Sequence, residues 1–140
     1  MNVRTIQLAD YRSIKELFEA VLAEEVCEQT LSAFARQLSW DSDLVLVAEV
    51  EKQIVGVIIG TIDNNKGYYY RLAIAEDYQN QGIDSDLVRA LKQRFDQKKV
   101  SKIYVTDDES NATIFTLFES LGYATNDFIT SFKKLSIISG

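Results

Sequence analysis

The residues between Leu72 and Ser85 have the types and spacing of a phosphate-binding corner. An apolar stretch ends near Ile74, a polar loop with one glycine follows, and a stripe of apolar residues at helical spacing begins at Ile83. The first turn of a helix presents backbone N–H groups without helical partners and a partial positive charge, and together these bind phosphate. A glycine at such a turn lets the backbone approach a bulky diphosphate. The same layout is common in ordinary connections, so taken alone it allows either interpretation.

The composition restricts the side chains available for acid–base or nucleophilic chemistry. The 140 residues include no histidine and one cysteine, Cys27. Catalytic triads built on histidine, intramolecular disulfides and cysteine–histidine zinc clusters are therefore excluded. Proton transfer has to rely on Asp, Glu, Tyr, Lys, Cys or water. We expect Cys27 to be a small buried apolar residue rather than a nucleophile.

The charge and the hydropathy pattern limit the partners. The formal net charge is −6, which argues against nucleic-acid binding because that binding needs a basic surface. An acidic surface favours solubility and would also attract a cationic amine. No apolar run reaches the roughly 18 residues that span a bilayer, and the segment Met1–Asp10 lacks the layout of a secretory signal. The pattern predicts a cytoplasmic protein that binds neither nucleic acid nor membrane.

Periodicity predicts a single domain over residues 1–140. Asp10 is a favourable N-cap for a first helix, in which apolar residues recur at helical spacing from Ile14 to Leu22. The predicted strands are, in chain order, Val3–Gln7, Leu44–Val50, Ile54–Ile62, Tyr68–Ile74, Ile103–Val105 and Phe128–Leu135. The other predicted helices are Thr30–Trp40, one that begins at Ile83, and Asn111–Leu121. Early hairpins and later strand–helix–strand units predict an α/β (α+β) fold, with a mixed, mostly antiparallel sheet of six to seven strands flanked by about four helices.

The same periodicity predicts which side chains are buried. The second helix is expected to bury Leu31, Phe34, Ala35 and Leu38, and the third to bury Ile83, Leu87, Val88, Leu91 and Phe95. Tyr68 and Tyr70 should share one face of their strand, with Tyr69 on the other, and all three are expected to be packed aromatics. Trp40 is expected to pack in the core, although it would also suit the wall of a substrate pocket.

Two segments resemble the motifs of one family. The hexapeptide Gln79–Asp84 resembles the pyrophosphate loop of the GNAT superfamily of N-acetyltransferases, in which Arg or Gln is followed by two residues, Gly, one residue, and Gly or Ala. The preceding segment, 75–78, resembles the link that joins the fourth strand of that family to the loop. Downstream, Asn111–Tyr123 resembles the second motif of the family, an Asn that opens a helix ending in Leu-Gly-aromatic. The order of the remaining elements also fits, so the resemblance implies a GNAT-like fold over the whole chain.

The resemblance implies a cofactor and a set of contacts. Acetyl-CoA would be the co-substrate, and no metal would be required. Backbone groups of Leu72, Ala73 and Ile74 would pair with the pantetheine arm as another strand does. Loop residues and helix amides would cradle the pyrophosphate: Gln79, Asn80, Gln81, Gly82, Ile83, Asp84 and Ser85. Asn111 would meet the cofactor near the pantetheine, and an amine would attack the thioester directly, assisted by positioning and by backbone N–H groups that polarise the carbonyl.

The chain departs from the family pattern at two positions. Asp84 stands where the family has Gly or Ala. At about 5 Å and an effective dielectric near 20, its charge would repel a phosphate charge by roughly 3 kcal/mol. The alternative is that Asp84 turns outward and caps the helix. Phe118 stands where the family often has the tyrosine that returns a proton to the leaving thiolate, and phenylalanine has no proton to donate.

These features leave three hypotheses. The first is an acetyl-CoA-dependent N-acetyltransferase that acts on a small amine or on a protein amino group. The second is a catalytically impaired protein of the same fold that serves as a CoA-responsive or partner-binding module, and the third is a structural domain that binds no CoA. No signature in Asp10–Ser42 identifies the amine acceptor, and the sequence assigns no residue as the general base or acid. The final strand, Phe128–Leu135, would also allow pairing across a homodimer.

Overall fold

The fold is described from a computed structural model, which covers residues 1–100, 103–106, 128–131 and 136–139. The strands are β1 (Asn2–Thr5), β2 (Val45–Val50), β3 (Gln53–Asp63), β4 (Lys66–Ile74), β5 (Ile103–Thr106) and β6 (Phe128–Ser131). The α-helices are α1 (Tyr11–Val21), α2 (Glu24–Trp40), α3 (Ile83–Gln97) and the short α4 (Ser136–Ser139). Short 3-10 turns occupy Leu8–Asp10, Ser42–Leu44 and Glu76–Tyr78.

The six strands form one sheet in the order β1-β2-β3-β4-β5-β6. The first four are joined as antiparallel neighbours, whereas β5 runs parallel to β4, and β6 parallel to β5. The parallel pairing follows from chain direction, because α3 crosses over between β4 and β5. The mixed α/β fold that the sequence predicts is confirmed.

Each face of the sheet carries its own core. Tyr69, Ile74 and the buried stripe of α3 pack on one face. Tyr68, Tyr70 and the inward residues of α1 and α2 pack on the other. The predicted division of the three tyrosines between the faces is confirmed, as is the buried stripe on α3, which consists of Ile83, Leu87, Val88, Leu91 and Phe95.

Glycine allows α3 to approach the sheet closely. A Cβ built on Gly60 of β3 would lie 2.7 Å from Leu91 Cδ1 of α3 and 3.1 Å from the tip of the Phe95 ring. Real Cβ atoms do not approach as closely as 2.7 Å, so a larger residue would require the Leu91 side chain to shift. The position of α3 matters for function, because its first turn borders the cleft described below.

The second helix differs from the prediction in length and in orientation. It begins at Glu24 rather than Thr30, and its buried side includes Thr30 and Gln37, while Ala35 is exposed. The apolar pattern missed this because two polar residues lie on the buried face. The expectation that Trp40 packs in the core is wrong, since its side chain is 54% exposed at the end of α2.

Asp10 precedes α1 as predicted, but it does not cap that helix with its side chain. Its carboxylate instead accepts a hydrogen bond from the backbone N–H of Gln7 at 2.7 Å, closing the 3-10 turn, and two more from the guanidinium of Arg4 at 2.8 and 3.0 Å. Arg4 also donates to Glu49 of β2 at 3.0 Å. The contact with Arg4 holds the pKa of the Asp10 carboxyl below its usual value, against the opposing effect of burial.

Part of the sequence prediction falls on residues outside the described ranges. The predicted helix Asn111–Leu121 lies wholly there, and so does the second half of the predicted strand Phe128–Leu135, whose first half is β6. The total of six to seven strands and about four helices therefore stays a prediction for the chain as a whole. Within the described ranges, no helix is both long and apolar enough to cross a membrane.

Candidate functional site

A cleft of about 260 Å³ opens where β4 ends and α3 begins. It lies between the last turn of α1, the end of β4, the loop after it and the first turn of α3. The lining residues are Val21, Leu22, Leu72, Ala73, Ile74, Tyr78, Gln79, Asn80, Ile83 and Asp84. Seven of the loop and strand residues singled out from the sequence are thus brought together in one place, namely Leu72, Ala73, Ile74, Gln79, Asn80, Ile83 and Asp84.

The second half of β4 has one open edge in the described part of the chain. The register of β4 with β5 covers Gly67 to Tyr69 and stops there, while the register with β3 continues to Ile74. Ala75 N donates to Val55 O at 2.8 Å. Because hydrogen-bonded and non-bonded pairs alternate along an antiparallel ladder, Ala73 also points its backbone groups at β3, and Leu72 and Ile74 point theirs at the open edge.

A bulge in β4 separates the half that pairs with β5 from the half whose outer edge is open in the described part of the chain. The register with β3 shifts between Ile59 and Gly60, which leaves Tyr70 as the extra residue on β4. Tyr70 and Arg71 consequently both lie toward α2, and the buried Arg71 Nε donates to Thr30 Oγ1 of that helix at 3.0 Å. The Arg71 guanidinium also lies 4.8 Å from the centre of the Tyr70 ring. These contacts fix the strand where its edge opens.

The loop after β4 is held by side chain to backbone hydrogen bonds. Gln79 Nε2 donates to Ile74 O at 3.1 Å, which occupies the last carbonyl on the open edge. Gln81 Nε2 donates to Asp77 O at 3.1 Å. Asn80 has φ of 64°, in the left-handed region that asparagine tolerates better than most residues. These two hydrogen bonds and the conformation of Asn80 define where the loop turns.

Gly82 is the residue before α3 and has φ of 82° and ψ of 4°, a left-handed conformation. A Cβ added there would meet no atom within 4 Å. Glycine is thus required here by the backbone angle, and the space beside it is open to a bound group. The first hydrogen bond of the helix runs from Asp86 N to Gly82 O at 3.2 Å.

Asp84 lies in the first turn of α3 and faces the cleft. Its Oδ1 accepts a hydrogen bond from Ser85 N at 2.8 Å, and the residue is half-buried. Asp84 thus lines the cleft and is not the N-cap of α3, which is Gly82, although its carboxylate does accept an N–H of the first turn. Asp86, by contrast, pairs with Arg89 at 3.4 Å on an exposed part of the helix.

Known proteins share both the sequence pattern and this fold. A sequence model of the acetyltransferase (GNAT) domain matches residues 8–138. The chain belongs to the GNAT family of acetyltransferases. An acetyltransferase from Pectobacterium atrosepticum is 30% identical to this GNAT chain over 135 residues, which covers 96% of either protein.

Solved structures of other GNAT proteins have the same fold. The PaiA N-acetyltransferase of Thermoplasma acidophilum, in complex with coenzyme A, gives a TM-score of 0.66 at 18% identity and covers 88% of this chain and 89% of its own. A diaminobutyrate acetyltransferase of Paenibacillus lautus, in complex with L-2,4-diaminobutyric acid and coenzyme A, gives a TM-score of 0.67 at 21% identity, covering 86% of this chain and 73% of its own. At these identities the likeness shows the fold.

Several predicted residues of this GNAT domain lie away from the cleft or outside the described ranges. Asn111 and Phe118, the predicted contacts of the second motif, are outside those ranges. Cys27 is buried as expected; burial raises the pKa of its thiol, and the nearby carboxylates of Glu19 and Glu28 raise it further. It is therefore a packed residue and not a nucleophile.

Three residues of the cleft were missed by sequence reasoning. Val21 and Leu22 approach from the end of α1, and Tyr78 from the 3-10 turn after β4. A signal for the first two was present, because they continue the apolar stripe of α1 yet remain half-buried after folding. An apolar residue at the end of such a stripe, where the helix leaves its core, is a reasonable candidate for a ligand wall.

Proposed function

We propose that this GNAT protein transfers the acetyl group of acetyl-CoA to an amino group of a small molecule or a protein, by direct attack of the amine on the thioester. The observation that carries the proposal is that the end of β4, whose edge is open in the described part of the chain, and the first residues of α3 line one cleft. A donor made of an amide-containing arm and a diphosphate needs both of these features side by side.

The residues present fit the parts of acetyl-CoA. Leu72 offers its backbone N–H and carbonyl, and Ile74 its N–H, to the amides of the pantetheine arm, because the Ile74 carbonyl already accepts from Gln79. The N–H groups in the first turn of α3, after Gly82, would meet the diphosphate. Acetyl-CoA would supply the activated acetyl group as a thioester. The cleft is near the lower end of the volume range of small-molecule sites, which suits the slender arm of the donor.

Catalysis on this scaffold would depend mainly on position. Holding the amine and the thioester together in reactive geometry removes much of the entropic barrier of a two-molecule reaction. Backbone N–H groups at the open edge of β4 would stabilise the oxyanion that forms on the thioester carbonyl. Tyr68 and Tyr70 are buried in the core against α1 and α2, which supports their assignment as packed aromatics rather than as acids.

Turnover tests the proposal. The protein is incubated with acetyl-CoA and a panel of primary amines and peptide N-termini, and both CoA thiol release and acetylated product are measured. We expect amine-dependent release with at least one acceptor class. The variant Gly82→Val is expected to lose this release, whereas Glu76→Val, the same substitution at an exposed residue of the preceding 3-10 turn, should retain most of it.

Tight CoA binding without amine-dependent release would contradict the proposal and favour the alternative of a catalytically impaired, CoA-responsive module. That alternative has no support in the matched family or in the relatives described above. A homodimer through the sheet edge at β6, and a cytoplasmic location, also belong to the proposal; the oligomeric state can be read from light scattering.

A further inference from the structure

Asp84 places a negative charge at the point where the proposed function requires a diphosphate. Its Oδ1 accepts the N–H of Ser85, one of the first-turn amides of α3 that would otherwise meet a phosphate. Asp84 is also one of the residues that line the cleft, together with Asn80 and Ile83. The protein thus supplies its own anion to this helix end.

A bound diphosphate and this carboxylate compete for the same electrostatic environment. The partial positive charge of the helix end and its N–H groups attract either anion, and two anions held close together at this helix end repel each other. The diphosphate therefore has to displace the Asp84 side chain or tolerate its charge.

We infer that Asp84 is an intramolecular competitor of the CoA diphosphate, which weakens donor binding and stabilises the helix end when the donor is absent. The inference rests on the proposed function and deepens it, because it names the residue that sets donor affinity. It concerns the diphosphate only, so the pantetheine arm on β4 should be indifferent to Asp84.

The test is calorimetric titration of CoA and of pantetheine, which lacks the phosphates. The variants are Asp84→Asn, which removes the charge but keeps an oxygen near Ser85 N, and Asp84→Ala, which removes both. The matched control is Asp86→Asn, two residues along the same helix, whose carboxylate pairs with Arg89 away from the cleft. We expect both Asp84 variants to bind CoA on the order of tenfold more tightly, since tenfold corresponds to about 1.4 kcal/mol. Pantetheine affinity and the Asp86→Asn variant should stay within about twofold of wild type.

A second readout needs no ligand. Loss of a first-turn carboxylate removes a favourable interaction with the helix dipole, so ligand-free Asp84→Asn should unfold about 1 to 3 °C earlier than wild type. A lower unfolding temperature without ligand, together with a higher affinity for CoA in the same variant, indicates competition.

Unchanged CoA affinity in both Asp84 variants, or an equal gain in Asp86→Asn, would overturn the inference and leave the proposed function standing. An equal gain for pantetheine would also overturn it. Failure of wild type and of every folded variant to bind CoA would instead overturn the proposed function itself.

Discussion

Gly82 determines how α3 can begin beside the cleft. Its φ of 82° lies where residues with a Cβ are strained, yet a Cβ at this position would meet no atom within 4 Å. A side chain at a glycine position can be excluded by the backbone angle or by a steric clash. At Gly82 the backbone angle alone excludes it. The residue shapes the corner through its backbone alone, and the empty space beside it is available to a ligand.

We expect Gly82→Val to destabilise the protein by about 1 to 3 kcal/mol, because a β-branched residue is costly at a positive φ. CoA affinity should fall by tenfold or more, since the new side chain would occupy the space that the diphosphate needs. Urea unfolding measures the first effect and calorimetric titration the second. In Glu76→Val the residue is exposed and its φ is not positive, so both effects should be small; an equally large loss there would show that the loop tolerates no valine at all.

At the scale of single residues, the sequence predicts chemistry better than orientation. The strand, glycine and helix that build the corner follow from local pattern, and so does the burial of Cys27. The direction of the Asp84 side chain does not, because outward capping and a place in the cleft use the same residue type. The exposure of Trp40 was missed for a similar reason, since pattern cannot show that a helix continues past its core.

At the scale of elements, Arg4 ties β1 to its neighbours. Its guanidinium lies between Asp10 of the first 3-10 turn and Glu49 of β2, with side chains only 20%, 10% and 28% exposed in that order. The first strand is four residues long and, among the described strands, pairs only with β2. The short ladder adds little to the stability of β1, so the half-buried ion pairs of Arg4 are expected to stabilise its position.

This contact predicts a pH-dependent stability. Because the folded pKa of Asp10 lies below its unfolded value, its stabilisation is fully present above the unfolded pKa of about 3.9 and is lost as pH falls through the folded pKa. Asp10→Asn should lower the free energy of unfolding by about 1 to 3 kcal/mol at pH 7, and the gap to wild type should narrow below about pH 4. Urea unfolding at a series of pH values measures this.

The matched control for that experiment is Glu16→Gln. Glu16 pairs with Arg12 one turn away on α1, but the two side chains are 64% and 91% exposed, so little change is expected at any pH. A gap between Asp10→Asn and wild type that stays constant down to pH 3 would show that the Asp10 carboxylate is not the group responsible.

Some helices and strands are predicted more accurately by the sequence than others, for physical reasons. Strands β2 to β4 and helix α3 follow from apolar runs and helical stripes that agree with their burial. Helix α2 was predicted six residues short, from Thr30 instead of Glu24, because its first turns are dominated by acidic and polar residues. The bulge at Tyr70 leaves no local signal, since it is set by the register between two strands.

At the scale of the whole molecule, the site exists because two faces of one sheet are packed differently. Helix α3 lies on one face and brings its first turn to the end of β4, whereas α1 lies on the other and brings Val21 and Leu22 to the same place. The sequence predicts the layers and their order. It does not predict that the described pairing of β4 with β5 ends at Tyr69, because that depends on long-range pairing.

The most direct test of donor binding is thermal unfolding of the wild-type protein with and without CoA at about 1 mM, with AMP as a control that lacks the pantetheine arm. If the dissociation constant is near 10 μM, CoA at 100-fold excess should stabilise the fold by about 2.7 kcal/mol. At roughly 3 °C per kcal/mol, the unfolding temperature should rise by about 8 °C, and AMP should produce a much smaller rise. A protein that unfolds cooperatively at the same temperature with and without CoA would contradict a donor site between the open edge of β4 and Gly82.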